Sequence, residues 1–171
     1  LGEASEEQVI EEATYIRVER FGFEETSNEL WNATWPQLEL SSLPGFPLWE
    51  KDVHDVLAAN LESLQSIFRA YAASSPEGAA NEMDMEEFHD FVIDSNLITQ
   101  YYGFDTMTGQ FTKANAGSND TVLEFHEFLT MLVRISFFRA NPQYGMRKGD
   151  DRKKMANVGA NEGAADQFGE E

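Results

Sequence analysis

Two stretches hold acids of a type and spacing that could do chemistry. One is Leu123-Glu124-Phe125-His126-Glu127-Phe128-Leu129; the other, 40 residues earlier, is Met83-Asp84-Met85-Glu86-Glu87-Phe88-His89. In both, an apolar residue is followed four positions later by a glutamate and then at once by phenylalanine. Each copy opens a helical pattern and follows a segment rich in Gly, Ala, Ser and Asn. Carboxylates so placed can hold a hard cation, or can simply favour the first turn of a helix, near its positive end. Paired-carboxylate catalysis is not expected, because no pair stands out from the other acids. The sequence has no phosphate-binding glycine loop and no nucleophile elbow, so the reading is non-enzymatic, with no catalytic and no cofactor-binding residue. The histidines are His54, His89 and His126. They lack the spacing of a helical zinc pair and read as surface or boundary residues. The chain contains no cysteine, which excludes disulfides, thiolate zinc sites and thiol catalysis.

The repeated stretch resembles the second half of an EF-hand, where a calcium loop turns into its exiting helix. The resemblance covers roughly residues 52–140. It implies a pair of helix–loop–helix units, with hands at about 52–98 and 105–140. Met83 and Leu123 fall at the eighth loop position, where paired loops of the family form a short β-bridge. With Glu127 at the twelfth position, the implied metal ligands are Ser118, Asp120, Glu124 and Glu127. Val122 offers its carbonyl at the seventh position. Ala116 brings no oxygen to the first, unless a one-residue bulge substitutes Asn115. Thr121 occupies the sixth, which wants a left-handed backbone that strains a β-branched residue. In the first loop Pro76, Gly78 and Ala80 fall where side-chain ligands are needed, so no metal is expected there. The expected cofactor is therefore none, or Ca2+ bound weakly in the second hand.

The elements that must position these residues follow from periodicity. Val53, Val56, Leu57, Leu61, Leu64, Ile67, Phe68 and Tyr71 form one apolar stripe, which predicts a helix over 52–72 capped by Asp52. Residues 73–82 read as loop. Helices are predicted from Met85 to Asn96 and from Glu124 to Ala140, where Asn141-Pro142 stops the last one. A shorter one over 105–114 is weakened by Gly109. Phe88, Phe91, Phe125 and Phe128 belong to the core. Upstream, Ser5 to Arg20 reads as a helix with Gln8 completing a capping box. Residues 24–50 hold all three tryptophans and three of the five prolines, and read as an extended connector. Its apolar residues, Trp31 through Trp49, would pack on the body of the domain or under a partner.

The fold class is thus all-α: residues 1–50 as helix and aromatic wrap, 51–145 as the EF-hand-like pair, and 146–171 as a flexible or partner-wrapped tail. That tail carries five of the twelve basic residues in Arg147–Lys154. The net charge is −19, and residues 1–146 carry 25 acids against 7 Lys and Arg. Such a surface repels nucleic acid and anionic membranes. No apolar run approaches the ~20 residues of a membrane span. The chain starts at Leu1, as a processed form or a piece of a longer protein would, and no signal peptide is visible. The sequons at Asn32 and Asn119 are read as coincidence.

The expected function is a structural or adaptor subunit. It meets other proteins of an assembly through the EF-hand groove or the Trp31–Trp49 segment, and the groove is expected to be occupied constitutively, with the chain's own Trp31–Trp49 segment as a candidate occupant. The alternative is a calcium sensor binding one Ca2+ in the second hand, and a third reading is a regulatory piece of a longer enzyme. The general flavour, similar to small EF-hand-like proteins of protists and algae, implies a cytoplasmic and ciliary or flagellar location.

Overall fold

A computed structural model describes residues 18–73 and 81–144 of the protein. The predicted stretch of helix over 5–17, the loop interior 74–80 and the tail from 145 onward lie outside the described residues. Six α-helices are described, and no strand longer than a single bridge occurs among them. They are α1 (Glu29–Thr34), α2 (Glu50–Ala59), α3 (Leu61–Ala72), α4 (Met85–Asp94), α5 (Phe104–Ala114) and α6 (Phe125–Ala140). The architecture is all-α.

The centre is a pair of helix–loop–helix segments, α3–α4 and α5–α6. Their loops meet at an antiparallel bridge between Met83 and Leu123, whose amides and carbonyls exchange hydrogen bonds of 2.9 and 2.8 Å. Both residues are fully buried. Phenylalanines fill the space behind the bridge. Phe128 of α6 packs against Phe68 of α3 at 5.2 Å and Phe91 of α4 at 5.4 Å, while Phe88 of α4 meets Phe111 of α5 at 5.4 Å. Neither half closes this cluster alone. Its side chains come from four helices, so each half supplies the apolar surface the other needs.

Local chemistry starts and stops the helices. Asp84 and Glu87 form a reciprocal capping box on α4, with both bonds at 2.9 Å. Asn96 turns left-handed (φ 51°) just beyond α4, a conformation that asparagine tolerates. Gly109 leaves α5 intact, flanked by buried Met107 and Phe111. Asn141 ends α6 ahead of Pro142, as predicted.

Three elements differ from the sequence expectation. The helix predicted over 52–72 is two helices, because the Asn60 side chain donates to the Val56 carbonyl (2.8 Å) and its backbone leaves helical geometry (φ −112°, ψ 13°). This helical stretch also begins at Glu50, so Asp52 lies in the first turn and Trp49 takes the cap position. The break splits the apolar stripe. Leu57, Leu61 and Phe68 face the core, whereas Val56 and Ile67 are 62% and 40% exposed. The connector is not extended throughout. Asn28 caps α1 by accepting from the Trp31 amide (3.1 Å), and Trp31 and Trp35, one helical turn apart, bury together. Pro36 sits in the first turn of the 3-10 helix that follows, where its missing N–H costs nothing. Finally, residues 18–20 are not helical. Arg20 instead bonds buried Glu50 at 2.9 Å and stacks its guanidinium over Phe46. Trp31, Trp35, Leu40 and Leu43 join the same core cluster as Phe128, so the connector packs on the body of the domain.

Tyr102, in the turn before α5, is 2% exposed, and burial pushes its hydroxyl up to about 12. An unfolded tyrosine ionises near ~10. The native state therefore keeps a proton that the unfolded state has released. The stability this contributes is full below the unfolded value and is lost as the pH rises toward the folded one. Urea titrations should show about 2 kcal/mol of alkaline destabilisation over about pH 10–12 that Tyr102→Phe removes.

Candidate functional site

The second loop runs between the last turn of α5 and the first turn of α6. Asn115, at the C-terminal cap of α5, donates its side-chain amide to the Asp120 carbonyl at 2.6 Å and draws the loop closed. Asp120 Oδ1 accepts from the Val122 amide at 3.2 Å, a local turn that leaves the residue exposed. Glu127 is buried on the first turn of α6. Its Oε1 accepts from the Glu124 amide (2.9 Å) and its Oε2 from the Ser118 hydroxyl (2.8 Å). Both carboxylate oxygens are thus held by protein donors. The structure brings Ser118 and Glu127 into contact, while Glu124 is exposed and offers its side chain to His126 at 3.6 Å. Ligand atoms of Glu124, His126 and Glu127 lie within 4.8 Å of one another. The side-chain oxygen of Asn115, Oδ1, is buried and has no hydrogen-bond partner among the described residues. Among the described residues, the positive-φ positions are Asn96 and Gly45, so Thr121 avoids the strained turn that the sequence placed on it.

This donor set is compatible with a weakly held calcium ion in ligand type, with oxygens from Asn115, Ser118, Asp120, Glu124 and Glu127. In the geometry described, Ser118 serves Glu127 as a hydrogen-bond donor. A cation there would have to displace that bond. In the first loop Glu87 is likewise buried and bonded to the Asp84 amide, which uses the repeated glutamate as a helix cap.

A second feature is an apolar groove of about 610 Å3. Val53, Val56 and Leu57 of α2 and Leu64 and Ile67 of α3 form one wall; Leu132, Val133 and Phe137 of α6 form the other. Leu43 and Trp49 of the connector also line it. The connector therefore lines the groove and does not fill it. Polar groups are sparse along it: Asp52 is the sole carboxylate, with Asn60, Ser63 and Ser136.

His54 fastens the connector beside this groove. The Trp31 indole N–H donates to His54 Nε2 at 2.9 Å, so the ring proton sits on Nδ1, which faces Asp55 at 3.0 Å. Phe21, Trp35, Trp31 and Phe23 surround the imidazole with ring centroids at 4.6, 4.9, 5.2 and 5.7 Å. The Lys51 and His54 hydrogen bonds hold the Asp55 carboxyl below its usual range. His54 is buried, contrary to its reading as a surface or boundary histidine. The signal was present in its spacing: residues 54, 57 and 61 share one helical face, and Leu57 and Leu61 are core.

A scan against protein-family models, a search of curated proteins and a search of solved structures each found no match.

If His54 is the fastening, His54→Leu should leave the Trp31 indole without an acceptor. The expected cost is about 1–3 kcal/mol in urea unfolding, with a red shift of tryptophan emission as the aromatic cluster loosens. Unchanged emission and stability would show that the cluster holds without this bond.

Proposed function

We propose that the chain is a non-enzymatic, EF-hand-like interaction module that holds an amphipathic helix of another protein in the groove between α2, α3 and α6. The observation that carries this reading is the groove itself, an open apolar channel with Val56 62% exposed on its wall. Apolar surface gathered in a concave site of this kind is stabilised by a partner that removes it from water. A helix with one apolar face fits a channel walled by helices on two sides. Basic flanks on that helix would suit the described residues, which carry 19 acidic against 6 basic side chains.

The EF-hand-like pairing is supported by the bridge between Met83 and Leu123 and by the repeated glutamate caps. The non-enzymatic part is supported by the poverty of polar groups in the groove, where Asp52 has no second carboxylate or histidine beside it. The Ser118–Glu127 bond supports a loop that keeps its shape without a metal. One observation favours a second reading, a calcium sensor with one working hand: the buried side-chain Oδ1 of Asn115 has no partner among the described residues.

A model peptide of alternating Leu and Lys at helical spacing tests the groove. The protein should bind it, and Val56→Glu with Ile67→Glu should weaken binding by about tenfold or more while far-ultraviolet circular dichroism stays unchanged. The added acids would strengthen simple charge attraction, so equal or tighter binding by the variant would contradict groove docking. Repeating the titration with about 1 mM calcium and with a chelator separates the two readings. The adaptor reading expects equal affinities. A calcium-dependent affinity lost in Glu127→Gln would establish the sensor.

A further inference from the structure

The groove has one charged end. α2 lays Asp52, Val53, Val56, Leu57 and Asn60 along one wall, at spacings that keep them on one helical face. Asp52 lies in the first turn of α2, and Asn60 caps its far end, a span of about 12 Å along the axis. The other polar side chains of the lining, Asn60, Ser63 and Ser136, are neutral. Asp52 is exposed and forms no ion pair among the described residues. Its neighbour Lys51 bonds to Asp55 instead, at 2.7 Å. The charge on the groove lining is therefore an unpaired carboxylate at the end where α2 begins.

Three electrostatic preferences act on a helix laid in this channel. A lysine or arginine of the partner is drawn to Asp52. Such a cation is stabilised in the last turn of its own helix, beside the free carbonyls, and destabilised in the first turn. Two helices lying side by side attract when their dipoles are opposed, and Asp52 marks the positive end of α2. All three are met together when the last turn of the partner lies beside the first turn of α2. The partner's C-terminal carbonyls then face Asp52 with about half a negative charge, which the full charge of the lysine outweighs. An exposed pair of this kind adds little to affinity, so its effect is on direction.

Building on the helix-docking reading, we infer that the bound helix runs antiparallel to α2 and sets a lysine or arginine of its last turn against Asp52. Asp52 thereby fixes the direction of the partner in a groove whose remaining lining carries no charge.

The test uses two peptides of about 18 residues, blocked at both ends, with the same leucine stripe on an otherwise neutral helix. They differ only in the place of a single lysine, in the first turn or in the last. Each is titrated by fluorescence anisotropy against the full chain and against its Asp52→Asn variant. The dissociation constant of the first-turn peptide divided by that of the last-turn peptide should be about threefold or more larger for the wild type than for Asp52→Asn. The ratio in the variant carries the difference in the peptides' own helicity, so the comparison isolates Asp52. Asp52→Glu, which keeps the charge, should keep the wild-type preference. Equal ratios in wild type and Asp52→Asn, a wild-type preference for the first-turn lysine, or loss of the preference in Asp52→Glu would overturn the inference and leave helix docking in place. Binding of neither peptide would overturn both.

Discussion

Two hydrogen bonds between Met83 and Leu123 set the arrangement of everything around them. They join the loops of two helical hairpins, and they fix which residue of one loop faces which residue of the other. Once that register is set, α4 and α6 each begin two residues beyond the bridge, each with a buried glutamate holding its first turn. Phe88 and Phe128 then point into the same space. A slip of the bridge by one residue would turn Met83 and Leu123 outward and aim the glutamates at the core. Losing the burial of those two apolar side chains is what makes that slip expensive.

The repeated glutamates have a structural use that does not require a metal. Glu87 and Glu127 each accept an amide hydrogen bond at the start of their helix. In the second loop Ser118 occupies the other carboxylate oxygen, and Asn115 ties the loop to Asp120. This closed set of bonds gives the loop a defined shape, and it sets the competition that a cation would face. Away from the loops, the same helices leave α2, α3 and α6 with apolar side chains turned into an open channel. The connector is fastened to α2 through Trp31 on His54, and its Leu43 and Trp49 line the channel. The proposed helix-docking role rests on this opening.

The repeat made the bridge residues and the capping glutamates legible, because identical spacing in two copies reflects identical local geometry. The phenylalanine positions were legible for the same reason, and α4, α5 and α6 fall within two residues of their expected bounds. The break at Asn60 was not. It depends on an asparagine side chain competing for a backbone carbonyl inside an otherwise strong apolar stripe, and periodicity does not register such competition. That break turned part of the presumed core face into groove. The role of His54 was also hidden. Its spacing from Leu57 and Leu61 placed it on the core face, but the rings that enclose it, Phe21, Phe23, Trp31 and Trp35, are distant in sequence and local pattern does not reveal them. In the second loop, the sequence placed Ser118 and Glu127 together only as ligands of one metal site implied by the resemblance. The hydrogen bond between them was not legible, because it depends on how the intervening residues turn.

Native-state hydrogen exchange at the Met83 and Leu123 amides tests the central claim, that the two hairpins are one cooperative unit joined at this bridge. Both amides should exchange through global unfolding, with opening free energies within about 1 kcal/mol of the stability from urea titration. Exchange of either amide by local opening, while the core of α6 stays protected, would show that the hairpins are stable separately and that the bridge only reports their contact.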